Sequence, residues 1–219
     1  MRRGLMAALL VIIGLLAVAC GGSASTSSFR PGGGNSTSAA PPPTTSQASA
    51  DSLAMPPFGR NARIVMTPWL PPSASESRAV IAAKNFLLAI LYADYTGGRD
   101  RRWLAYVGSS LVRNGMTSTL AAPSVTTESF RGTIRIWRMS AVIGTYGKNT
   151  ISVTECFDSA RALNTSLRTG KVLPPSQQNS TDQNYYSNTD ILARNAAGQW
   201  TVISIPSAIY YPEALECKP

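Results

Sequence analysis

Among its 219 residues the chain has no histidine. That absence removes Ser-His-Asp and Cys-His catalysis and takes away the commonest protein ligand for a metal. Zinc would have to be held by cysteine and carboxylate alone, and Cys20, Cys156 and Cys217 are scattered over the whole chain. Phosphate-loop, dinucleotide, zincin and EF-hand spacings are missing, so neither a metal nor a cofactor is expected. Proton transfer is left to carboxylates. Asp94, closing a predicted helix, and Asp158, two residues after Cys156, are the candidate pocket acids. Each also has a structural reading, as a helix-end surface residue and as a turn cap. Arg99, Arg101 and Arg102, beside Trp103, form the sharpest basic cluster, suited to an anionic polymer or a partner's acidic face. The plainer alternative is the solvated start of a helix, tempered by Asp100. Arg135 and Arg138 flank Trp137 in a comparable way, and Tyr92, Tyr95, Tyr185 and Tyr186 are available to a pocket or to a core.

The elements that must position these residues follow from local pattern. Ser73-Ala-Ser-Glu76 after Pro71-Pro72 reads as a capping box. Val80, Ala83, Leu87, Ile90 and Leu91 then recur at helical spacing, predicting a helix from about Ser75 to Tyr95 that Gly97-Gly98 stops. A second helix is expected from about Asp100 to Leu111, carrying Trp103 and Tyr106. After Pro123 the texture changes to β-branched and aromatic residues, predicting strands over Phe130–Thr145, Thr150–Thr154, Tyr185–Ala193 and Trp200–Ile205. Turns are expected at Gly147-Lys148-Asn149, Thr169-Gly170 and Ala197-Gly198, with a polar loop over Pro174–Gln183. Helices first and a meander of strands afterwards is the α+β pattern.

Ahead of this domain the chain reads as an address and a spacer. Arg2 and Arg3 precede an apolar run from Leu5 to Ala19. At 15 residues the run falls short of the ~20 that span a bilayer, and it has the layout of a secretory signal. Leu16-Ala-Val-Ala-Cys20 resembles a bacterial lipobox, departing from it at Ala17, and this implies diacylglycerol on Cys20 and cleavage after residue 19. Residues 1–19 are therefore expected as signal peptide, 20–73 as the lipidated cysteine and tether, and 74–219 as the globular domain. The Ser/Thr/Gly/Pro-rich stretch from Gly21 to Ser73 buries too little apolar surface to fold, and its reach is roughly 40 Å. Arg60–Leu70 is more apolar, either a strand-like arm with Trp69 as anchor or more linker. The Asn-x-Ser/Thr triplets at Asn35, Asn164 and Asn179 are discounted. With Cys20 lipidated, Cys156 and Cys217 remain as a pair in an oxidising compartment, and a disulfide is expected. The net charge is +9. An exported protein seldom meets nucleic acid, so the expected partners are the membrane through Cys20 and an envelope protein or anionic envelope polymer.

Long helix, short Trp-bearing helix and long antiparallel strands resemble the NTF2-like (cystatin-like cone) architecture. Val153-Thr-Glu-Cys156-Phe-Asp158, Thr169-Gly170 and Gly198-Gln-Trp200-Thr-Val202 ahead of Cys217 are similar to the NTF2-like lipoproteins of actinobacteria. The likeness runs over roughly residues 75–217. It implies N-terminal helices packed on a curved antiparallel sheet around a pocket, and it implies no particular reaction. Acidic residues of enzymes on this fold lie inside the cone, the role that Asp94 or Asp158 would take. With no histidine and no convergent acidic pair in view, the expected function is a non-catalytic binding or assembly module at the extracytoplasmic face of the cell membrane. A small-molecule enzyme of isomerase or cyclase type is the alternative; a subunit of an envelope transfer machine, with a large exposed apolar patch, is the third.

Overall fold

A computed structural model describes residues 58–67, 73–179, 183–206, 208–210, 212–214 and 217. The signal segment, Cys20, Trp69 and Asn35 lie outside them.

The long helix α1 runs over Ala74–Tyr95. The Ser73 hydroxyl accepts from the Glu76 N–H at 3.1 Å, a cap that stabilises the helix by about 1 kcal/mol. At the other end Gly97 and Gly98 adopt φ of 72° and 75°, a left-handed conformation that glycine takes at little cost. Ala79, Val80, Ala83, Phe86, Leu87, Ile90 and Leu91 are buried, and this stripe lies against the sheet.

The expected second helix is divided in two. A 3-10 turn covers Arg102–Tyr106, and α2 covers Ser110–Leu120, running through Gly115. The break comes from the sheet. Val107 bridges Val202 and the Gly108 N–H donates to the Val202 carbonyl at 2.8 Å, which helical backbone could not do. A side chain at Gly108 would collide with Thr201. Ser109 then restarts the helix, accepting from the Val112 N–H at 3.2 Å and donating to the Ile203 carbonyl at 2.8 Å. A short α3 follows at Pro123–Thr127.

The sheet has strand order β1-β2-β3-β4-β5, with β1 Ala62–Met66, β2 Glu128–Ile143, β3 Thr150–Ser166, β4 Tyr185–Arg194 and β5 Trp200–Ser204. The short β6, Ile209–Tyr210, pairs with Tyr186 and Ser187 of β4. All pairings but one are antiparallel, and the helices pack on the sheet as expected. The exception is β1, parallel to β2 in the register Ala62↔Gly132 to Met66↔Ile136. This strand falls in the stretch read from sequence as tether. Register shifts at Thr133/Arg135 and Trp137/Ser140 bend β2. Arg138, beside the second shift, has φ of 52°. The strand expected over Thr150–Thr154 continues twelve residues further, to Ser166.

Alternation sorts the strands into two faces. Ile151, Val153 and Phe157 of β3 join core clusters with α1 side chains, so the odd positions face the helices. Cys156 is on the opposite face and is disulfide-bonded to Cys217, with Ala214 and Trp137 packed around the bridge.

Candidate functional site

Three carboxylic acids are buried in the helix-covered layer. Glu155 is 0% exposed, Asp190 1% and Asp94 7%. Register sets Glu155 opposite Asn188, and Asp190 opposite Val153; both acids therefore project from the face that carries Ile151, Val153 and Phe157. The Asn188 amide nitrogen donates to Glu155 Oε1 at 2.9 Å and to Asp190 Oδ1 at 3.3 Å. The remaining oxygens, Glu155 Oε2 and Asp190 Oδ2, have no hydrogen-bond partner.

Burial without a cation penalises the charged forms. It pushes the Asp190 carboxyl up to about 7, against the opposing hydrogen bond from Asn188. Glu155 is raised well above the usual carboxylate range by burial first and by the charge of Asp190 second. The two acids on one amide thus form a proton-holding dyad. Asp190 and Asn188 border a cavity of about 50 Å³, whose apolar wall includes Leu87, Leu91, Met116, Phe157, Tyr186 and Ile205. The Phe157 and Tyr186 rings stack at 4.6 Å with an interplanar angle of 6°. A space of this size has room for water and not for an organic substrate.

Asp94 sits one helical turn beyond Ile90 and Leu91, and burial with the nearby charge of Glu128 raises it to about 7. It borders neither the cavity nor the cleft described next. Asp158 is corrected as a pocket acid: it projects from the face opposite the helices, beside the disulfide, and its Oδ1 accepts from the Ala160 N–H at 2.9 Å. The expectation that no acidic pair converges is corrected as well, since Glu155 and Asp190 do. Neither was singled out in the sequence, although the alternation that places Ile151 and Val153 inward continues directly to Glu155.

A larger space opens at the end of the sheet where α1 finishes. This cleft has a volume of about 610 Å³, within the range of small-molecule sites. Tyr92, Tyr95 and Thr96 of the helix end form one side, Ser129, Phe130 and Arg131 at the start of β2 the floor. Thr165, Ser166, Leu167 and Gly170, at the end of β3 and its turn, complete the lining with Asn61, Arg99 and the carboxylate of Asp100. The aromatic side is packed ring on ring: Tyr95 meets Phe130 edge-on at 5.5 Å and Phe58 at 5.5 Å.

The basic cluster read from sequence is split by the fold. Arg102 is ion-paired to Asp100 at 3.6 Å and lies 5.8 Å from the Tyr92 ring centroid. Arg101 is exposed, and Arg99 alone of the three borders the cleft. Arg131, from β2, borders the same cleft. Arg135 lies 6.0 Å from the Trp137 ring. Of the tyrosines, Tyr92 and Tyr95 border the cleft and Tyr186 the cavity, while Tyr185 borders neither. Among the described residues no group of three or more His, Cys, Asp or Glu is placed to hold a metal ion, and no helix is long and apolar enough to cross a membrane.

No family model and no curated protein matches this chain. Among solved structures it is similar to ActVI-ORFA from Streptomyces coelicolor, at 13% identity and a TM-score of 0.39, over 64% of this chain and 98% of that one. It is also similar to a ketosteroid-isomerase candidate from Shewanella frigidimarina, at 14% identity and a TM-score of 0.27, over 61% of this chain and 96% of the other. At these scores the likeness is partial and carries neither activity nor ligand to this chain.

Proposed function

We propose that the chain is a lipid-anchored, extracytoplasmic binding module whose ligand enters the cleft between the end of α1 and the ends of β2 and β3. The observation that supports it is the contrast in space: about 610 Å³ at the cleft against about 50 Å³ beside the acid dyad. Of these two spaces, the one able to admit an organic molecule is the one that lacks the acid dyad. A packed aromatic side, the hydroxyls of Thr165 and Ser166, and two arginines against the single carboxylate of Asp100, which Arg102 engages, suit an amphipathic ligand with an anionic group. The probe 8-anilinonaphthalene-1-sulfonate has that chemistry. It is expected to bind the native chain with a rise in fluorescence, and Asn61→Trp, filling the rim from an exposed position, is expected to abolish the rise while leaving the melting temperature unchanged. Undiminished fluorescence in the variant would remove the cleft from consideration.

The anchoring half of the reading rests on the segment ending at Cys20. Cys20→Ala is expected to move the protein from the membrane fraction to the soluble one; retention of the variant on membranes would instead mark the apolar segment as an uncleaved anchor.

One observation favours a second reading, a small-molecule acid–base enzyme: the dyad has unpartnered oxygens beside an apolar cavity. Substrate entry there requires α1 to part from β4. Hydrogen exchange separates the two readings. Backbone amides of Leu87 to Leu91 that exchange only on global unfolding would exclude the enzyme, and amides that open locally would favour it.

A further inference from the structure

Two arginines line the same cleft, and four further cations are sequence neighbours of its lining residues. β1 runs parallel to β2, and β2 starts at the cleft, so Phe58, ahead of β1, lies at the cleft end. Arg60 is next to the lining residue Asn61; Arg99 and Arg131 line the cleft itself. Arg101 follows two residues after Arg99, and Arg168 and Lys171 flank the lining residues Leu167 and Gly170. All six cations are exposed, and none is paired with a carboxylate among the described residues. The acids of these segments are Asp100, which itself lines the cleft with its charge engaged by Arg102, and Glu128, half-buried at the start of β2. An aromatic-sided pocket bordered by unpaired cations, at the end of the sheet where Phe58 lies on the N-terminal side of β1, has the layout of a surface that faces a membrane.

We propose that this end of the domain docks on the anionic bilayer to which the chain is anchored, with a phosphate headgroup in the cleft between Arg99 and Arg131. The proposal rests on the cleft being a ligand site, as argued above. The chemistry recognised is a phosphate ester; its source here is a lipid, and not a soluble ester or a wall polymer.

The test uses the mature chain, residues 20–219 with Cys20→Ser, which includes every described residue. Co-flotation is measured with vesicles of phosphatidylcholine alone and with phosphatidylglycerol added. Binding is expected only with phosphatidylglycerol. Each basic side chain near an anionic surface strengthens adsorption about fivefold, so R99Q/R131Q is expected to weaken it about thirtyfold. The control R78Q/K148Q removes the same charge from the first turn of α1 and from the β2–β3 turn, at the far end of the sheet, and is expected to change binding by less than about twofold. Equal losses in both variants would reduce the effect to net charge and overturn the docking. If vesicles fail to bind while glycerol 3-phosphate or a poly(glycerol phosphate) binds in an Arg99- and Arg131-dependent way, the membrane assignment falls and the cleft stands. If none of these ligands binds, yet the anilinonaphthalene probe still needs an open rim at Asn61, the phosphate chemistry falls and the binding module stands. Loss of the probe result as well removes both.

Discussion

Cys156→Ser is expected to lower the melting temperature of the oxidised chain by about 10 °C. The bridge joins residues separated by 61 positions, and in the chain-entropy account closing a loop of that length stabilises the folded state by about 4 kcal/mol. For a domain of this size each kcal/mol moves the midpoint by about 2–4 °C. The bond also pins Cys217 to the outer face of the sheet, where Ala214 and Cys217 are 1% and 0% exposed. Cys217→Ser should therefore give the same loss, and the double variant no more than either single one. Differential scanning calorimetry with and without a reductant checks this. A melting curve for Cys156→Ser that matches the oxidised parent would show that the bridge contributes nothing to stability.

The second large effect is a dependence on pH that runs opposite to ordinary acid denaturation. Asp190 has an unfolded value near 3.8 and a folded value of about 7. Below pH 4 it is protonated in both states, and its contribution to stability is fully present. As pH rises towards 7 the unfolded chain releases the proton and the folded chain keeps it, so stability is lost across that window, by about 4 kcal/mol for a shift of this size. Asp94 acts in the same direction over the same window, and Glu155 shares the sign. Asp190→Asn keeps an oxygen to accept from Asn188 and removes the ionisation. It is expected to raise the melting temperature at pH 8 and to flatten the fall between pH 4 and 7, leaving stability at pH 4 nearly unchanged. Identical pH profiles for variant and parent would show that Asp190 ionises as freely in the fold as outside it.

Much of the scaffold was legible in local pattern because local forces made it. Ser73, Gly97-Gly98 and the apolar stripe of α1 bound that helix without help from distant residues. The break at Val107–Gly108 was hidden, since what interrupts the helix is Val202, nearly a hundred residues on. The same holds for β1: the more apolar stretch Arg60–Leu70 looked equally like linker, and only a partner strand makes Ala62–Met66 a strand. The cleft escaped for the same reason, being assembled from the ends of α1, β2 and β3. Glu155 was the nearest miss. A strand taken to Phe157 puts it on the face of Val153, but a glutamate in that position conflicts with the rule that inward residues are apolar, and such a conflict is where function or strain is to be sought. Asp190 required the β3–β4 register before its partner could be known.

The parallel placement of β1 also decides how the domain carries load. A pull applied at Phe58 and directed outward from the cleft end runs along the axis of β1. The five paired positions from Ala62 to Met66 then resist together, sliding past β2 and not peeling from it one bond at a time. An antiparallel first strand, entering from the far end, would have been unzipped by the same pull. The strand is thus a mechanical clasp: such a pull meets first the contacts of Phe58 with Tyr92 and Tyr95 of α1 and then the edge of the sheet along β2.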